Sequence, residues 1–225
     1  MSSPKSGHTV FTKSLFRAGN ECLTKLYYRS RDDYAENGSH LPYMAHNAFN
    51  KQMLGLLLKR SLPTGYVVEN GSYSEMNCTT EQRLEQSDVV IYNASFLIDH
   101  LFAKVPVVVK KGQQLDAYFV QTRAVRSLKP NLRNRNGVIR AKWVDYLLEI
   151  AFQMLVMERK YPDWEIRPWL VLPNRKEKCG TNNLDLKLAE LKKNRKVGAV
   201  QIVEMTDYSG IWAKIPVSTY VRDIR

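Results

Sequence analysis

The strongest constraint on this chain lies in residues 88–126, DVVIYNASFLIDHLFAKVPVVVKKGQQLDAYFVQTRAVR. Three segments rich in β-branched and aromatic residues follow one another there, at 89–97, 102–109 and 115–125. Such side chains are stiff at χ1 and pack well on a pleated surface. Between the last two stands Lys110-Lys111-Gly112-Gln113, a polar break with a glycine to reverse the chain. The pattern predicts an antiparallel meander at the centre of a sheet.

The flanking sequence supplies helices to cover that sheet. Thr12 is placed to cap a helix over 13–28, with Leu15, Phe16, Cys22, Leu23 and Leu26 on one side. Residues 29–40 read as a polar loop. A second helix, 46–62, is apolar on most faces and stops at Pro63-Thr64-Gly65. A short strand at 66–69 precedes a helix opened by a capping box of Thr79 with Gln82 and ending near Ser87. The segment 141–161 is apolar nearly all round and ends before Pro162, as a helix packed between the sheet and the first two helices would. After it come a strand at 165–172, a helix at 184–194, and a hairpin of 198–205 with 211–217. The expected fold class is therefore α+β, a mixed central sheet flanked by helices. It is read as one domain with a helical lobe at 1–65, a core sheet and helix at 66–175, and a closing helix and hairpin at 176–225.

Three strands, a basic connection and an apolar helix with an embedded Gln153 (DYLLEIAFQMLVM) resemble the core of the PD-(D/E)XK nucleases. The similarity is greatest to the RecB-type branch, which includes the CRISPR-adaptation exonucleases. FTKSLFRAGNECLTKLYY is similar to that branch's opening helix, and the resemblance covers roughly residues 11–173. It implies a restriction-endonuclease-like fold, and a helical Gln near the substrate at Gln153. Active members carry an Asp on the second meander strand and an E-x-K set on the third. Aligned on the strands and the turn, those positions hold Pro106, Phe119 and Gln121. A hard cation such as Mg²⁺ needs carboxylate oxygens beside the scissile phosphate, and none of the three side chains supplies one. The resemblance thus implies a nuclease fold without its metal site, hence no catalytic residue and no metal cofactor. Mg²⁺ or Mn²⁺ enters only if carboxylates have moved elsewhere, for instance to Asp99 and Asp116.

Charge separates the two halves of the chain. Residues 1–99 hold ten Lys/Arg and ten Asp/Glu, so the whole net charge of +12 falls on residues 100–225. Between His100 and Trp143 only Asp116 is acidic. Lys104, Lys110 and Lys111 lie in the meander; Arg123, Arg126, Lys129, Arg133, Arg135, Arg140 and Lys142 follow it, interleaved with Asn131, Asn134 and Asn136. A field of one sign attracts polyanions. Arg forks and amides suit phosphate oxygens, and Pro130 and Gly137 mark a loop. From Lys110 onward these residues, with Gln153, form the expected nucleic-acid-binding set.

Cys22, Cys78 and Cys179 are far apart, which argues for a reducing compartment and against structural zinc. Cys22 falls where iron-sulfur members of the resembled branch keep their first cluster ligand, but such a cluster usually takes four thiolates. Three cysteines cannot complete one within the chain. His8, His40, His46 and His100 lack an i, i+4 metal spacing. No P-loop, G-x-G-x-x-G or nucleophile elbow is present. No apolar run approaches the roughly 20 residues of a membrane span, and the start has no signal-peptide core. The expectation is a cytoplasmic protein with no membrane partner.

Three readings follow. The first is a nucleic-acid-binding protein, for DNA rather than RNA, serving as a non-catalytic subunit of a bacterial nucleic-acid-processing or defence assembly. The second is a metal-dependent DNA nuclease with relocated catalytic residues. The third is a structural subunit whose basic face docks an acidic protein.

Overall fold

A computed structural model of the chain describes residues 10–31, 53–55, 57–59, 64–177 and 210–225. The described residues form an α+β fold: a mixed seven-stranded open sheet packed against helices. The meander is its centre. Strands β3 (Asp88–Ile98), β4 (Leu101–Lys111) and β5 (Gln114–Val120) pair antiparallel, each wider or narrower than expected by a few residues. Gly112, at φ +57, turns β4 into β5 at the predicted break. Helix α4 (Ala141–Lys160) then crosses over to β6 (Glu165–Pro173), which lies parallel to β5. A parallel neighbour requires such a crossover.

The sheet runs β2 (Tyr66–Val67), β3, β4, β5, β6, β7 (Trp212–Pro216). The short β1 (Phe11–Thr12) pairs with β4 at Leu101 and Phe102, beyond the stretch that β5 covers. One face of the sheet buries Phe96, Val108, Leu115 and Phe119 against Ile150, Met154 and Met157 of α4. The other face buries Tyr92, Val107 and Val171 against Leu57 and Leu58. Covering both faces explains why the strands read as nearly continuous apolar runs.

β3 and β4 change face together halfway along. Val89 and Ile91 point to the α4 side, and so do Ala94 and Phe96, which is one residue out of alternation. The shift occurs at Asn93, at φ +56, opposite Pro106, which has no N–H for the ladder; the neighbouring rungs Tyr92↔Val107 and Ala94↔Val105 remain paired. Proline is tolerated in a central strand at such an irregularity.

Several expectations change. The first helix breaks at Cys22, whose extended backbone (φ −169, ψ 128) separates α1 (Lys13–Glu21) from α2 (Leu23–Arg29). Thr12 caps α1 as expected, accepting from the Leu15 amide. The helix before the meander, α3 (Tyr73–Leu84), starts seven residues earlier than predicted. Its capping box is Ser72 with Glu75, while Thr79 turns its hydroxyl back to the Glu75 carbonyl. Both pairs fit the box pattern, and the upstream one acts, which adds Met76 to the helix one turn before the buried Thr80 and Leu84. The residues after 217, to which no element is assigned from sequence, form helix α5 (Ser218–Ile224), which packs Val221 into the core. Within the described residues β7 pairs with β6. The loop at 32–40, most of 46–62, the helix at 184–194 and the strand at 198–205 lie outside them. No helix among the described residues is long and apolar enough to cross a membrane.

Candidate nucleic-acid interface

Phe119 lies near the end of β5, Gln121 just beyond it, and Pro106 stands across from them on β4. Phe119 is buried in the main core, Pro106 is half-buried, and the Gln121 amide donates to the Val171 carbonyl at 3.0 Å. Among the described residues no three His, Cys, Asp or Glu side chains come together to hold a metal ion. Asp116 is committed elsewhere: it accepts two bonds from Arg167, at 2.7 and 2.9 Å, and one from the Trp169 indole at 3.1 Å. Asp99 occupies the β3–β4 turn, about ten strand residues from the rung of Asp116, roughly 30 Å along β4. The two do not form a site.

The basic residues divide into three groups by what they touch. Lys110 is buried, and its ammonium donates to the carbonyls of Leu84 and Gln86, both at 2.8 Å, while lying 5.0 Å from the Trp164 ring. It ties the end of α3 to the sheet and does not reach solvent. Lys111 is exposed at the β4–β5 turn, separated from the loop after β5 by the length of that strand. Arg133 is an anchor: it is ion-paired with Asp223 of α5, donates to the Gly137 carbonyl at 2.6 Å and lies 5.1 Å from the Tyr220 ring.

The third group faces solvent. Arg123, Arg126, Lys129, Arg135, Arg140 and Lys142 are exposed, and among the described residues none has a carboxylate partner. Arg123 and Lys142 approach the buried Trp143 ring from two elements, at 5.8 and 5.2 Å. Arg140 directs one guanidinium N–H to the Arg133 carbonyl at 2.9 Å. It is also the N-cap of α4, where no side chain caps the helix and the first turn holds no acid. The positive end of the helix dipole therefore adds to the positive charge of the side chains.

Arg175 and Lys176, exposed just past the end of β6, extend this surface, although no charge pattern in the sequence links them to the loop. Val125 bridges Asn174 in parallel register, with Val125 N–H donating to the Pro173 carbonyl at 2.9 Å and Arg175 N–H to the Val125 carbonyl at 2.7 Å. The end of β6 is thereby laid beside the start of the basic loop. Only the parallel pairing of β5 with β6 brings the two together.

Gln153 does not join the surface. It is 3% exposed and donates to the Glu149 carbonyl at 3.0 Å, one turn back on α4. Glu149 itself pairs with Lys13 at 3.3 Å and Arg17 at 3.8 Å, which fastens α1 to α4. The four tryptophans mostly pack: Trp143 and Trp212 are buried, Trp164 stacks on Tyr161 and Trp169 on Tyr118. Cys22 and Cys78 are exposed free thiols. Backbone N–H groups of Lys25 and Thr24 hold the Cys22 thiol below its usual range.

No protein-family model, curated protein or solved structure matches this chain.

Proposed function

We propose that this protein binds nucleic acid on a PD-(D/E)XK nuclease-like core that has lost its metal ligands, and that it does not cut what it binds. The reading rests chiefly on the surface after β5. Six exposed cations that lack carboxylate partners among the described residues lie between β5 and the uncapped first turn of α4, and the exposed Arg175 and Lys176 follow β6. Such a surface neutralises phosphates and releases their counterions. The meander β3–β4–β5, the basic connection and the apolar helix α4 stand in the order on which the nuclease resemblance rests. In that core the metal would lie where β5 ends. Here a buried Phe119, a backbone-bonded Gln121 and Pro106 occupy the place. The role that fits is a non-catalytic, DNA-holding subunit of a larger processing or defence assembly.

The test is a titration of labelled single- and double-stranded DNA and RNA over several salt concentrations, with and without Mn²⁺, scoring retardation and cleavage together. The expected result is binding of intact substrate, with log affinity falling by about 0.9 per phosphate neutralised for each unit of log salt. Mn²⁺-dependent cleavage would overturn the non-catalytic part of the proposal. Absence of binding at low salt would overturn the whole and leave an acidic protein as the partner of the basic face.

A further inference from the structure

The chain between β5 and α4 carries a structure of its own. Arg133 bridges Ile139 in antiparallel register, the Asn134 amide donates to the Val138 carbonyl at 2.8 Å, and the Gly137 amide to the Asn134 carbonyl at 3.1 Å. Gly137 has φ +78. A turn followed by a left-handed residue is a common three-residue hairpin loop. The Asn134 side-chain oxygen accepts from the amides of Asn136 at 2.9 Å and Val138 at 3.0 Å, so the tip is closed from inside as well.

The base of this hairpin is fixed to the core. Leu132 is completely buried, Ile139 packs against the main cluster, and the Arg140 amide donates to the Leu132 carbonyl at 2.9 Å. Arg133 holds one arm to α5 through Asp223. The tip is therefore ordered before any ligand arrives, which lowers the entropy lost on binding. Beyond the anchors, Arg135, Asn136 and Val138 face solvent, Val138 at 59% exposure.

We propose that this hairpin enters the major groove of duplex DNA and reads base edges there. The inference rests on the nucleic-acid reading above and adds sequence preference to it. A two-stranded ribbon has strands about 4.8 Å apart, and the major groove of B-form DNA, about 12 Å wide, admits one. The corresponding groove of A-form RNA is deep and narrow, and side chains cannot read it. The exposed tip carries the matching chemistry. An Arg fork suits guanine O6 and N7, an Asn amide suits adenine N6 and N7, and an apolar side chain suits the thymine methyl. Arg135, Asn136 and Val138 supply one of each, and the Asn136 side chain makes no hydrogen bond among the described residues. Asn134 has spent its oxygen on the turn and keeps only its N–H donors, which suit a phosphate. The flanking Arg126, Lys129 and Lys142 bear on the backbone and set position rather than sequence.

The experiment is enrichment of binding sites from a randomised DNA duplex pool, followed by anisotropy titrations of the intact chain and its variants on the selected and scrambled duplexes. The parent is expected to enrich a short motif containing guanine and adenine. Arg135→Ala should lose roughly 5- to 150-fold of discrimination at one position, whereas Arg126→Ala with Lys129→Ala should weaken selected and scrambled duplexes alike. Gly137→Ala, which strains the turn without changing charge, should lower discrimination with little change in the salt slope. Duplex binding with no enriched motif, or a motif unchanged in Arg135→Ala, would overturn the hairpin inference while leaving the binding function standing. A clear preference for single strands or RNA would overturn it as well. Failure to bind any nucleic acid at low salt would instead remove the function on which it rests.

Discussion

The Thr80 hydroxyl accepts the Ser95 amide hydrogen at 2.9 Å and donates to the Met76 carbonyl, also at 2.9 Å, while completely buried. One helical turn earlier, Asn77 accepts the Leu97 amide at 2.9 Å. β2 covers the outer edge of β3 only at Ile91 and Tyr92, so beyond the kink at Asn93 the side chains of α3 stand in for a missing strand. A buried N–H without a partner costs about 1–3 kcal/mol. Thr80→Val keeps the shape and removes both bonds. Urea denaturation should show a loss in that range, and an unchanged midpoint would mean that water reaches the Ser95 amide.

Lys110→Met tests the same junction from the other side. The substitution keeps an unbranched apolar stem and deletes the ammonium that serves two carbonyls at the end of α3. Hydrogen bonds to charged groups contribute roughly 1.5–3 kcal/mol, so a stability loss near that size is expected. Nucleic-acid affinity should not change, because Lys110 is internal. A drop in affinity at equal stability would return it to the binding surface.

These contacts show what the sequence could and could not reveal. The meander, its turn at Gly112 and the helix at 141–160 were legible because each carries a long, strongly periodic apolar signal with a stop at Gly or Pro. The break at Cys22 was not, because Leu15 through Leu26 keep helical spacing across it. α3 was misplaced because Ser72/Glu75 and Thr79/Gln82 both satisfy the local capping pattern; which one acts depends on the face α3 buries. Charge marks the loop after β5 as basic, yet charge alone does not separate Lys110, Arg133 and the exposed cations. Arg133 looks like its neighbour Arg135 until Asp223, some ninety residues away, is folded against it.

The titration of Tyr161 gives a dependence on alkaline pH. Its ring stacks on Trp164 at 4.4 Å and meets the edge of Phe96, and burial first, then the charge of Glu81, push its hydroxyl up to about 12. An unfolded tyrosine titrates near 10. Between those values the folded chain holds a proton that the unfolded chain has released, so stability falls as pH rises from about 10 through 12. Tyr92 and Tyr118 shift in the same direction through burial, so Tyr161→Phe should reduce the alkaline fall without abolishing it. Chemical denaturation of parent and variant from pH 8 to 11 checks this. Parallel curves would mean that solvent reaches the hydroxyl.

Arg133 and Arg135 should separate in a paired measurement. Arg133→Ala removes an ion pair, a bond to Gly137 and a ring contact. It should cost about 1 kcal/mol of stability. Arg135→Ala removes a side chain with no such contacts and should leave the melting temperature unchanged while weakening nucleic-acid binding. Equal losses of stability in the two variants would contradict the division between anchor and tip.

The proposed loss of a nuclease metal site can be tested by rebuilding it. Extending the β4–β5 register one rung past Val107↔Tyr118 sets Pro106 opposite Phe119, with Gln121 two residues further along, just past the end of β5. Pro106→Asp, Phe119→Glu and Gln121→Lys together would supply the set that the nuclease resemblance implies. Truncating a buried Phe alone costs roughly 3–5 kcal/mol, and a buried carboxylate adds to that unless a cation joins it. The triple variant should therefore be much less stable than the parent without metal and regain stability with Mn²⁺, since a ligand that binds only the folded state raises its stability by mass action. The parent should not respond. Should the triple variant fail to fold, Pro106→Asp with Gln121→Glu keeps Phe119 in the core and still places two carboxylates near the end of β5. A folded variant of either kind whose melting temperature and calorimetric heat ignore millimolar Mn²⁺ would show that these positions do not correspond to a nuclease metal site.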